Sequence, residues 1–350
     1  VLRLVRCIVV SRRLISDGSV TRCSKVVGSK TKFLEEDVVE TKKKAAVRDA
    51  NDSTRLWMIH GIAYDLEDFV ERHPGGKEAI ELGRGRDCTA LFESYHPFTN
   101  KHRQVLQRYA KKNVTIPMDP FYETLKKRVI TALKDNGIDP VTQRCATKLR
   151  AVYYLTILTC LLLSARYHIK ASPLGSFLFA ITGWLIGSAG HDGGHFAVSR
   201  SPSINSLSLW GMSLLCNPMM WQHQHTYAHH SHTNDFDHDP DLHHFTTFMT
   251  VHRRFSQKGM YKYQTFKLYV FWAYTFVVFG ECLWIPMNMM MEGSLYGMVE
   301  WTDRKRPARA FMMAFHLVTY FLVIVLSPFF FSTGSLSRAG LCVVIHLVTS

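Results

Sequence analysis

Apolar residues are unevenly distributed along the 350-residue chain. The first 150 residues are polar and typical of a soluble segment, whereas long apolar runs follow them. AVYYLTILTCLLLS at 151–164 and LGSFLFAITGWLIGSAG at 174–190 are separated by a short polar stretch with a proline, which is a helix stop signal. Each run is a little short for a bilayer crossing of about 20 residues, but flanking tyrosines and an arginine can reach the interface. The pattern predicts a membrane hairpin of two helices whose outer ends lie on one side.

Three later segments continue the membrane pattern. Residues 268–291 are apolar but contain Glu281 near their centre, and a charge at mid-bilayer costs roughly 2.5–3.5 kcal/mol. The basic cluster DRKRPAR at 303–309 is expected on the cytoplasmic side, as are the outer ends of the hairpin. The pattern therefore predicts that 268–291 lies in the interface or re-enters it, with Glu281 near water. Residues 311–331 and the run that begins at Ala339 are then the third and fourth spans, after the two helices of the hairpin.

The polar first part of the chain predicts a leader, a small domain and a linker. Residues 1–51 are polar and basic, and we interpret them as a leader or linker with no assigned function. Residues 119–150 are predicted to be a linker with a charged helix around Tyr122–Lys134. The first methionine is Met58 and the last residues are apolar, so we expect the sequence to be partial at both ends. The intervening residues 52–118 carry the motifs of the small domain.

Two histidines of this small domain stand in a pattern typical of heme ligands. Short strands are expected at 57–59 and 62–64, followed by short helices. In the HPGG motif that begins at His73, the proline and two glycines allow a tight loop, and His96 follows 23 residues later. Two imidazoles on opposite faces of a heme iron saturate it, so the iron transfers electrons and has no open position for oxygen.

The small domain resembles cytochrome b5 over most of residues 52–118. The resemblance implies an α+β fold that binds heme b through His73 and His96. His60 and His102 match no heme position, and we expect them at the surface. The alternative is a His-Pro turn in an unrelated domain. The positions that carry the resemblance are Trp57, Tyr64, Asp65, Phe69, the HPGG loop at 73–76, Asp87, Thr89, Phe92 and His96.

Histidines are concentrated beside the apolar part of the chain, with eleven of the eighteen within residues 191–252. HDGGH at 191–195 directly follows the second apolar run, and HTYAHH at 225–230 lies in the polar stretch beyond it. In each motif two histidines are four residues apart, which places them on one face of a helix. The last histidine of the second motif directly follows the second member of this pair, so it lies on an adjacent part of the helix surface, where it could reach a second metal. All-imidazole ligation suits iron, copper, zinc or nickel. The predicted metal ligands are His191, His195, His225, His229 and His230.

Other polar residues near the two motifs are assigned supporting roles. Aspartates could orient ligand imidazoles by hydrogen bonding; the candidates are Asp192, Asp237, Asp239 and Asp241. Two histidines inside apolar segments, His316 and His346, are functional candidates by position, but we do not expect them to be ligands. Six further histidines are expected in loops or as hydrogen-bond partners: His223, His232, His238, His243, His244 and His252.

HDGGH and QHTYAHHSHTN, joined to a cytochrome b5-like domain, resemble the motifs of front-end fatty acyl desaturases. The resemblance covers about residues 55–350, most of the chain, and implies that an all-α multi-span membrane domain occupies 151–350. It also implies two non-heme iron ions bound by the five predicted ligands. The family has a third motif, QxxHH, which we expect beyond residue 350. The chain as given is therefore expected to be inactive.

The resemblance also implies a reaction. Heme b would receive electrons from NADH-cytochrome b5 reductase and pass them to the iron centre. There O2 would be reduced to water while a cis double bond forms between an existing double bond and the carboxyl end of a polyunsaturated acyl chain. The substrate would be a fatty acyl lipid or an acyl-CoA. The expected location is the endoplasmic reticulum membrane, with both sites facing the cytosol, and a plastid membrane is also compatible.

Three other functions share parts of this pattern: a sphingolipid long-chain-base desaturase, a cytochrome b5-fused fatty acid hydroxylase, and a membrane-anchored electron carrier without non-heme iron. The net charge of +14 does not indicate nucleic-acid binding, because the basic residues flank apolar spans as they do in cytoplasmic loops of membrane proteins. Eight cysteines without regular spacing make a disulfide framework or zinc knuckle an unfavourable interpretation.

Overall fold

The computed structural model describes residues 55–110, 118–143, 145–243, 246, 250–255, 259–332 and 334–350. Every described residue belongs to one compact unit, residues 52–350. The leader predicted for residues 1–51 therefore lies outside the described residues.

The small domain begins with a β-hairpin whose two strands have the predicted bounds. β1 (Trp57–Ile59) pairs antiparallel with β2 (Ile62–Tyr64). His60 and Gly61 form the two-residue turn with φ angles of 51° and 71°, and positive φ at both positions is typical of tight hairpins. The side chain of Trp57 lies at the centre of a small apolar core and donates its indole N–H to the Ile80 carbonyl. A 3-10 turn (Glu67–Arg72) and three helices complete the domain: α1 (Lys77–Glu81), α2 (Thr89–Tyr95) and α3 (Lys101–Gln107).

The charged helix predicted in the linker is confirmed as α4 (Pro120–Asp135). Asp119 caps its first turn by accepting backbone N–H groups. The helix packs on the small domain, because the Tyr122 hydroxyl donates to the Glu93 carbonyl at 3.1 Å. Lys126 Nζ also lies 4.0 Å from a Glu93 carboxylate oxygen. This part of the linker is therefore tied to α2.

The predicted hairpin is present as α5 (Lys148–Ile169) and α6 (Pro173–Gly194), each 22 residues long. Both helices are longer than the apolar runs that predicted them, because their ends are capped outside those runs. Thr147 and Ser172 accept backbone N–H groups of the first turns, and Pro173 occupies a first-turn position where proline is tolerated.

Glycines on α6 allow the following segment to approach its backbone closely. A Cβ atom at Gly190 would lie 2.3 Å from the backbone nitrogen of Met212, and one at Gly193 would lie 2.7 Å from that of Leu209. No other residue type fits these contacts. They hold α7 (Pro202–Leu209) and the 3-10 turn Trp210–Leu214 against α6, so the chain arrives at the second histidine motif beside the first.

The rest of the described fold is mostly helical and includes a short hairpin of β3 (Ser294–Leu295) and β4 (Val299–Glu300). Short 3-10 turns cover Pro240–Leu242, Gly259–Tyr263 and Thr302–Lys305. In the described part of the chain, three π-helical segments cover Gln222–His229, Gly280–Trp284 and Phe321–Leu326. The remaining α-helices are α8 (Pro218–Trp221), α9 (His230–His232), α10 (Lys267–Phe279), α11 (Ile285–Glu292), α12 (Pro307–Tyr320), α13 (Ser327–Phe331) and α14 (Leu336–Thr349).

Within the described residues, four helices are long and apolar enough to cross a membrane, and one of them differs from the sequence-based expectation. The four are Lys148–Ile169, Pro173–Gly194, Leu268–Glu292 and Pro307–Phe331. The charge of Glu281 had predicted that its segment does not cross and that its carboxylate stays near water. Instead Leu268–Glu292 has the length and composition of a span, and Glu281 is only 6% exposed. The expectation about water was wrong because a remote segment covers this position: the Glu281 carbonyl accepts the N–H of Asn217.

The basic cluster at 303–309 lies against the second histidine motif. Asp303 accepts from His223 Nε2 at 3.0 Å, and Arg309 donates to Gln222 Oε1 at 2.7 Å. The cluster and the second motif therefore lie together, and their expected position on the cytoplasmic side stays a prediction.

Candidate metal centre

The first histidine motif spans the end of α6. His191 lies in the last turn of the helix, and His195 is the residue that caps its C-terminus. Their ring centroids are 4.6 Å apart, and each lies 5.3 Å from the ring of His225. One ring nitrogen from each of the three residues falls within 4.8 Å of the others. This spacing suits nitrogen ligands around a common metal ion, whose bonds are about 2 Å long.

The second motif forms a π-helix, Gln222–His229, where the spacing predicted an α-helix. A π-helix has more residues in each turn, and such segments are frequent at functional sites. The wider turn changes the position of His230. In the predicted α-helix, this residue would lie on a part of the helix surface adjacent to that of the other two histidines of the motif. His230 Nε2 instead lies 3.2 Å from His225 Nε2, and the His230 ring lies 4.7 Å from that of His195. The five predicted ligands therefore form one cluster.

Three of the four aspartates predicted to orient imidazoles lie beside ligand candidates. Both carboxylate oxygens of Asp239 lie within 3.2 Å of His229 Nδ1. Asp241 Oδ2 is 3.2 Å from the same nitrogen and 3.7 Å from His225 Nδ1, so Asp241 could orient these rings or bind metal itself. A second group of potential ligands, His225, His229 and Asp241, thus shares His225 with the first.

The other two aspartates predicted to orient imidazoles, Asp192 and Asp237, differ in their surroundings. Asp192 lies 3.6 Å from His191 Nδ1 and is held by Tyr154 and Arg150 from α5. Asp237 is exposed and pairs with Arg254, so the proposed orienting role does not fit it.

His195 shows most clearly that the cluster suits a metal. Its Nε2 atom is buried and has no hydrogen-bond partner among the described residues. Burial and, to a lesser extent, the neighbouring histidines lower the pKa of His195 to about 3, so the ring is neutral, as metal ligation requires. Trp221 stacks on His225 at 4.6 Å and meets the rings of His191 and His195 edge-on. The indole therefore forms an apolar wall of the cluster.

The small domain brings His73 and His96 together as the heme prediction requires. Their ring centroids are 6.2 Å apart; two imidazoles bound to opposite sides of one iron through bonds of about 2 Å would have centres roughly 6 Å apart. His73 Nδ1 bonds the Gly76 carbonyl at 3.1 Å and His96 Nδ1 bonds the Phe92 carbonyl at 2.7 Å. These bonds leave each Nε2 as the ligand atom. Burial lowers the pKa of both imidazoles, which favours their neutral form.

The expectation that His60 and His102 lie at the surface was wrong. His102 stacks on His96 with ring centroids 4.9 Å apart, because α3 folds back onto α2. His60 is bonded to Glu93 at 2.9 Å and is largely buried. Both residues support the helix that carries His96.

The remaining histidines have partners that explain their positions. His316 is bonded through its ring nitrogens to Asn217 and to the Ser213 carbonyl, and His346 packs on His168 and Phe179. His223 is buried between Arg86 and Asp303. His232 and the exposed His238 lie beside Asp235, whereas His243 bonds the Phe236 carbonyl and His252 packs on Phe236. His244 lies outside the described residues.

Sequence reasoning missed Tyr95 and Arg86, two small-domain residues that reach the histidine motifs. The Tyr95 hydroxyl lies 2.7 Å from His195 Nδ1, and Arg86 Nη2 lies 2.9 Å from His223 Nδ1. Neither stands in a motif, and both contacts join residues at least 100 positions apart. The only local signal was that Tyr95 directly precedes His96.

The fold and the site together define a helical membrane protein that carries a paired-imidazole domain beside a histidine-rich candidate metal centre. Residues 43–115 match the family model of the cytochrome b5-like heme/steroid binding domain, which implies heme, and residues 139–350 match that of fatty acid desaturases, which implies iron. The chain belongs to the fatty acid desaturase family. No solved structure matches the chain significantly.

Curated relatives carry names consistent with this family. The chain is 33% identical over 247 residues to an acyl-lipid omega-13 desaturase of Chlamydomonas reinhardtii, which covers 57% of this chain and 49% of the relative. It is 33% identical to Delta(5) fatty acid desaturase A of Dictyostelium discoideum, covering 55% of this chain and 44% of the relative. It is 29% identical to a chloroplastic acyl-lipid (7-3)-desaturase of Chlamydomonas reinhardtii, covering 77% and 53%. The chain thus spans about half the length of the curated relatives that it matches.

Proposed function

We propose that the protein is a front-end fatty acyl desaturase that inserts a cis double bond between an existing double bond and the carboxyl end of a polyunsaturated acyl chain. One observation carries this proposal: the five motif histidines form a single cluster, and the paired-imidazole domain contacts that cluster directly through Tyr95. Family membership supports the reaction class.

Two non-heme iron ions in the cluster would supply the oxidising power that an unactivated methylene requires, which side chains lack. The two overlapping ligand groups support two positions: His191 and His195 with His225, and His229 and Asp241 with His225. His230 lies within reach of the shared ligand. Asp239 and Asp192 would orient His229 and His191. The Trp221 wall would limit access of water to the rings.

Heme b would be held by His73 and His96 and would supply electrons one at a time. Because His73 and His96 would both bind its iron, the small domain would have no open position for O2. The electron donor we propose is NADH-cytochrome b5 reductase. The Glu78–Arg306 ion pair of 2.7 Å and the Arg86 contacts hold the small domain beside the cluster. A donor kept beside its acceptor has a high effective concentration.

The substrate we propose is a fatty acyl chain carried on a lipid. Two of the relatives compared above are named acyl-lipid desaturases, which favours this carrier over acyl-CoA and over a sphingoid base.

The location we propose is the endoplasmic reticulum membrane, with the cluster facing the cytosol. A plastid membrane is the second candidate, because one relative is named chloroplastic.

Expression of the full-length gene in yeast fed with individual polyunsaturated fatty acids tests the proposal. We expect a new cis double bond on the carboxyl side of an existing one, detected by gas chromatography with mass spectrometry. His191→Ala and His229→Ala should abolish it, whereas His238→Ala, which alters an exposed histidine paired with Asp235, should not.

Metal analysis separates the proposal from its rival, the membrane-anchored electron carrier. The purified protein should contain iron in excess of its heme. Iron equal to the heme content, together with unchanged lipids in the fed cells, would show that the protein only transfers electrons. Oxygen retained in the lipid product would indicate a hydroxylase.

A further inference from the structure

Tyr95 is the side chain through which the small domain reaches the metal cluster. It lies at the end of α2, directly before His96. Its hydroxyl is 2.7 Å from His195 Nδ1, its ring is nearly parallel to the His195 ring at 6.4 Å, and it meets Phe196 edge-on at 5.8 Å. One residue therefore touches a candidate iron ligand while its chain neighbour is a candidate heme ligand.

The direction of this hydrogen bond follows from the other nitrogen of His195. A neutral imidazole carries one N–H, and a ring nitrogen binds metal only without its proton. His195 Nε2 is buried without a hydrogen-bond partner in the described part of the chain, as expected for an atom reserved for a metal. Nδ1 must then carry the proton and donate it to the Tyr95 oxygen. The reverse arrangement would leave a proton on Nε2 and block ligation.

We propose that Tyr95 is a positioning residue of the metal centre, whose oxygen accepts the Nδ1–H of His195 and so presents Nε2 of that ring to the metal. The proposal rests on the metal-binding role given above for the cluster. It assigns to the small domain a part in building the metal site, in addition to carrying heme.

Packing alone does not explain a tyrosine at this position. A phenylalanine would keep the stacking on His195 and the contact with Phe196, but it would lose the acceptor oxygen.

The matched comparison is Tyr95→Phe against Tyr122→Phe in the purified full-length protein with heme bound. Tyr122 donates its hydroxyl at 3.1 Å to the carbonyl of Glu93 on α2, the helix of Tyr95, and among the described residues it bonds no ligand candidate. After chelation of non-heme metal, Co²⁺ is titrated as the probe, and its visible absorption bands report affinity and geometry. The heme Soret band of each variant checks that the small domain is intact.

We expect Tyr95→Phe to bind Co²⁺ about 10–100-fold more weakly, the usual effect of losing such a hydrogen bond, with shifted bands and an unchanged Soret band. Tyr122→Phe should match the wild type. Equal affinity and spectra in Tyr95→Phe and the wild type, or equal losses in both variants, would overturn the proposal. If the wild-type protein binds no Co²⁺, the proposed metal centre itself is wrong.

Discussion

The Arg86 guanidinium lies 2.9 Å from Nδ1 of His223, so a buried cation of the small domain contacts the π-helix that carries the second histidine motif. Arg86 donates this bond, which places the His223 proton on Nε2, and that nitrogen donates to Asp303 at 3.0 Å. Burial lowers the pKa of His223 to about 4, consistent with a neutral ring. Burial opposes ionisation of Asp303, yet His223 and the guanidinium groups of Arg309 and Arg306 hold its pKa well below the usual range.

Removing Arg86 should therefore loosen the small domain and the second motif together. We expect Arg86→Ala to destabilise the protein by about 3 kcal/mol, because breaking a buried charge network leaves its other members unpaired. The loss is measured as a lower midpoint of thermal unfolding in detergent, followed by the heme absorbance. Arg72→Ala removes an exposed guanidinium that bonds the Asp68 carbonyl and should cost less than about 1 kcal/mol. Equal midpoints for both variants would contradict the network's role.

Asp241 should matter for metal binding, whereas Asp237 should not. Asp241 Oδ2 lies 3.2 Å from His229 Nδ1, so Asp241→Ala removes either a ligand or the group that orients one. We expect a 10–100-fold loss of metal affinity, measured as iron retained after dialysis against a chelator. Asp237 pairs with Arg254 on the surface, and Asp237→Ala should retain iron like the wild type. Full retention by Asp241→Ala would show that its proximity is incidental.

Gly194 should tolerate no side chain. A Cβ atom there would lie 2.1 Å from Cζ3 of Trp221, and this indole is buried against three ligand candidates. Overpacking of this kind costs about 1–3 kcal/mol, and displacing the indole should also lower iron content. Gly280→Ala serves as the control, since its Cβ would meet only Ile285 Cδ1 at an ordinary 3.8 Å. Iron content and the unfolding midpoint are compared; a normal Gly194→Ala protein would refute the packing argument.

Heme binding should depend on His96 and not on His60. His96→Ala removes one of two imidazoles whose ring centroids are 6.2 Å apart, so the absorption spectrum of a six-coordinate heme should be lost. His60→Ala removes a hydrogen bond to Glu93, which keeps its ion pair with Arg103, and should retain that spectrum. Reduction by NADH with added cytochrome b5 reductase should follow the same order. A normal spectrum in His96→Ala would exclude this residue as a ligand.

Much of the local structure could be predicted from short patterns. The strands 57–59 and 62–64, the hairpin α5–α6 and the helix α4 follow from alternation, apolar runs, capping residues and charge, all of which act between neighbours in the chain. The low exposure of Glu281 could not be predicted in this way, because Asn217, which is distant in sequence, lies against this position. That of His102 depends on α3 folding back onto α2, where its ring stacks on His96.

The sequence by itself determined which histidines the two motifs contain and where the tight HPGG loop lies, since residue type and spacing specify which side chains are available as ligands. The tertiary structure decided how they meet. The π-helix brings His230 next to His225, and α2 places Tyr95 on His195. Both arrangements depend on packing between helices that are distant in the sequence. The free energy gained by this packing outweighs the local preference for an α-helical turn.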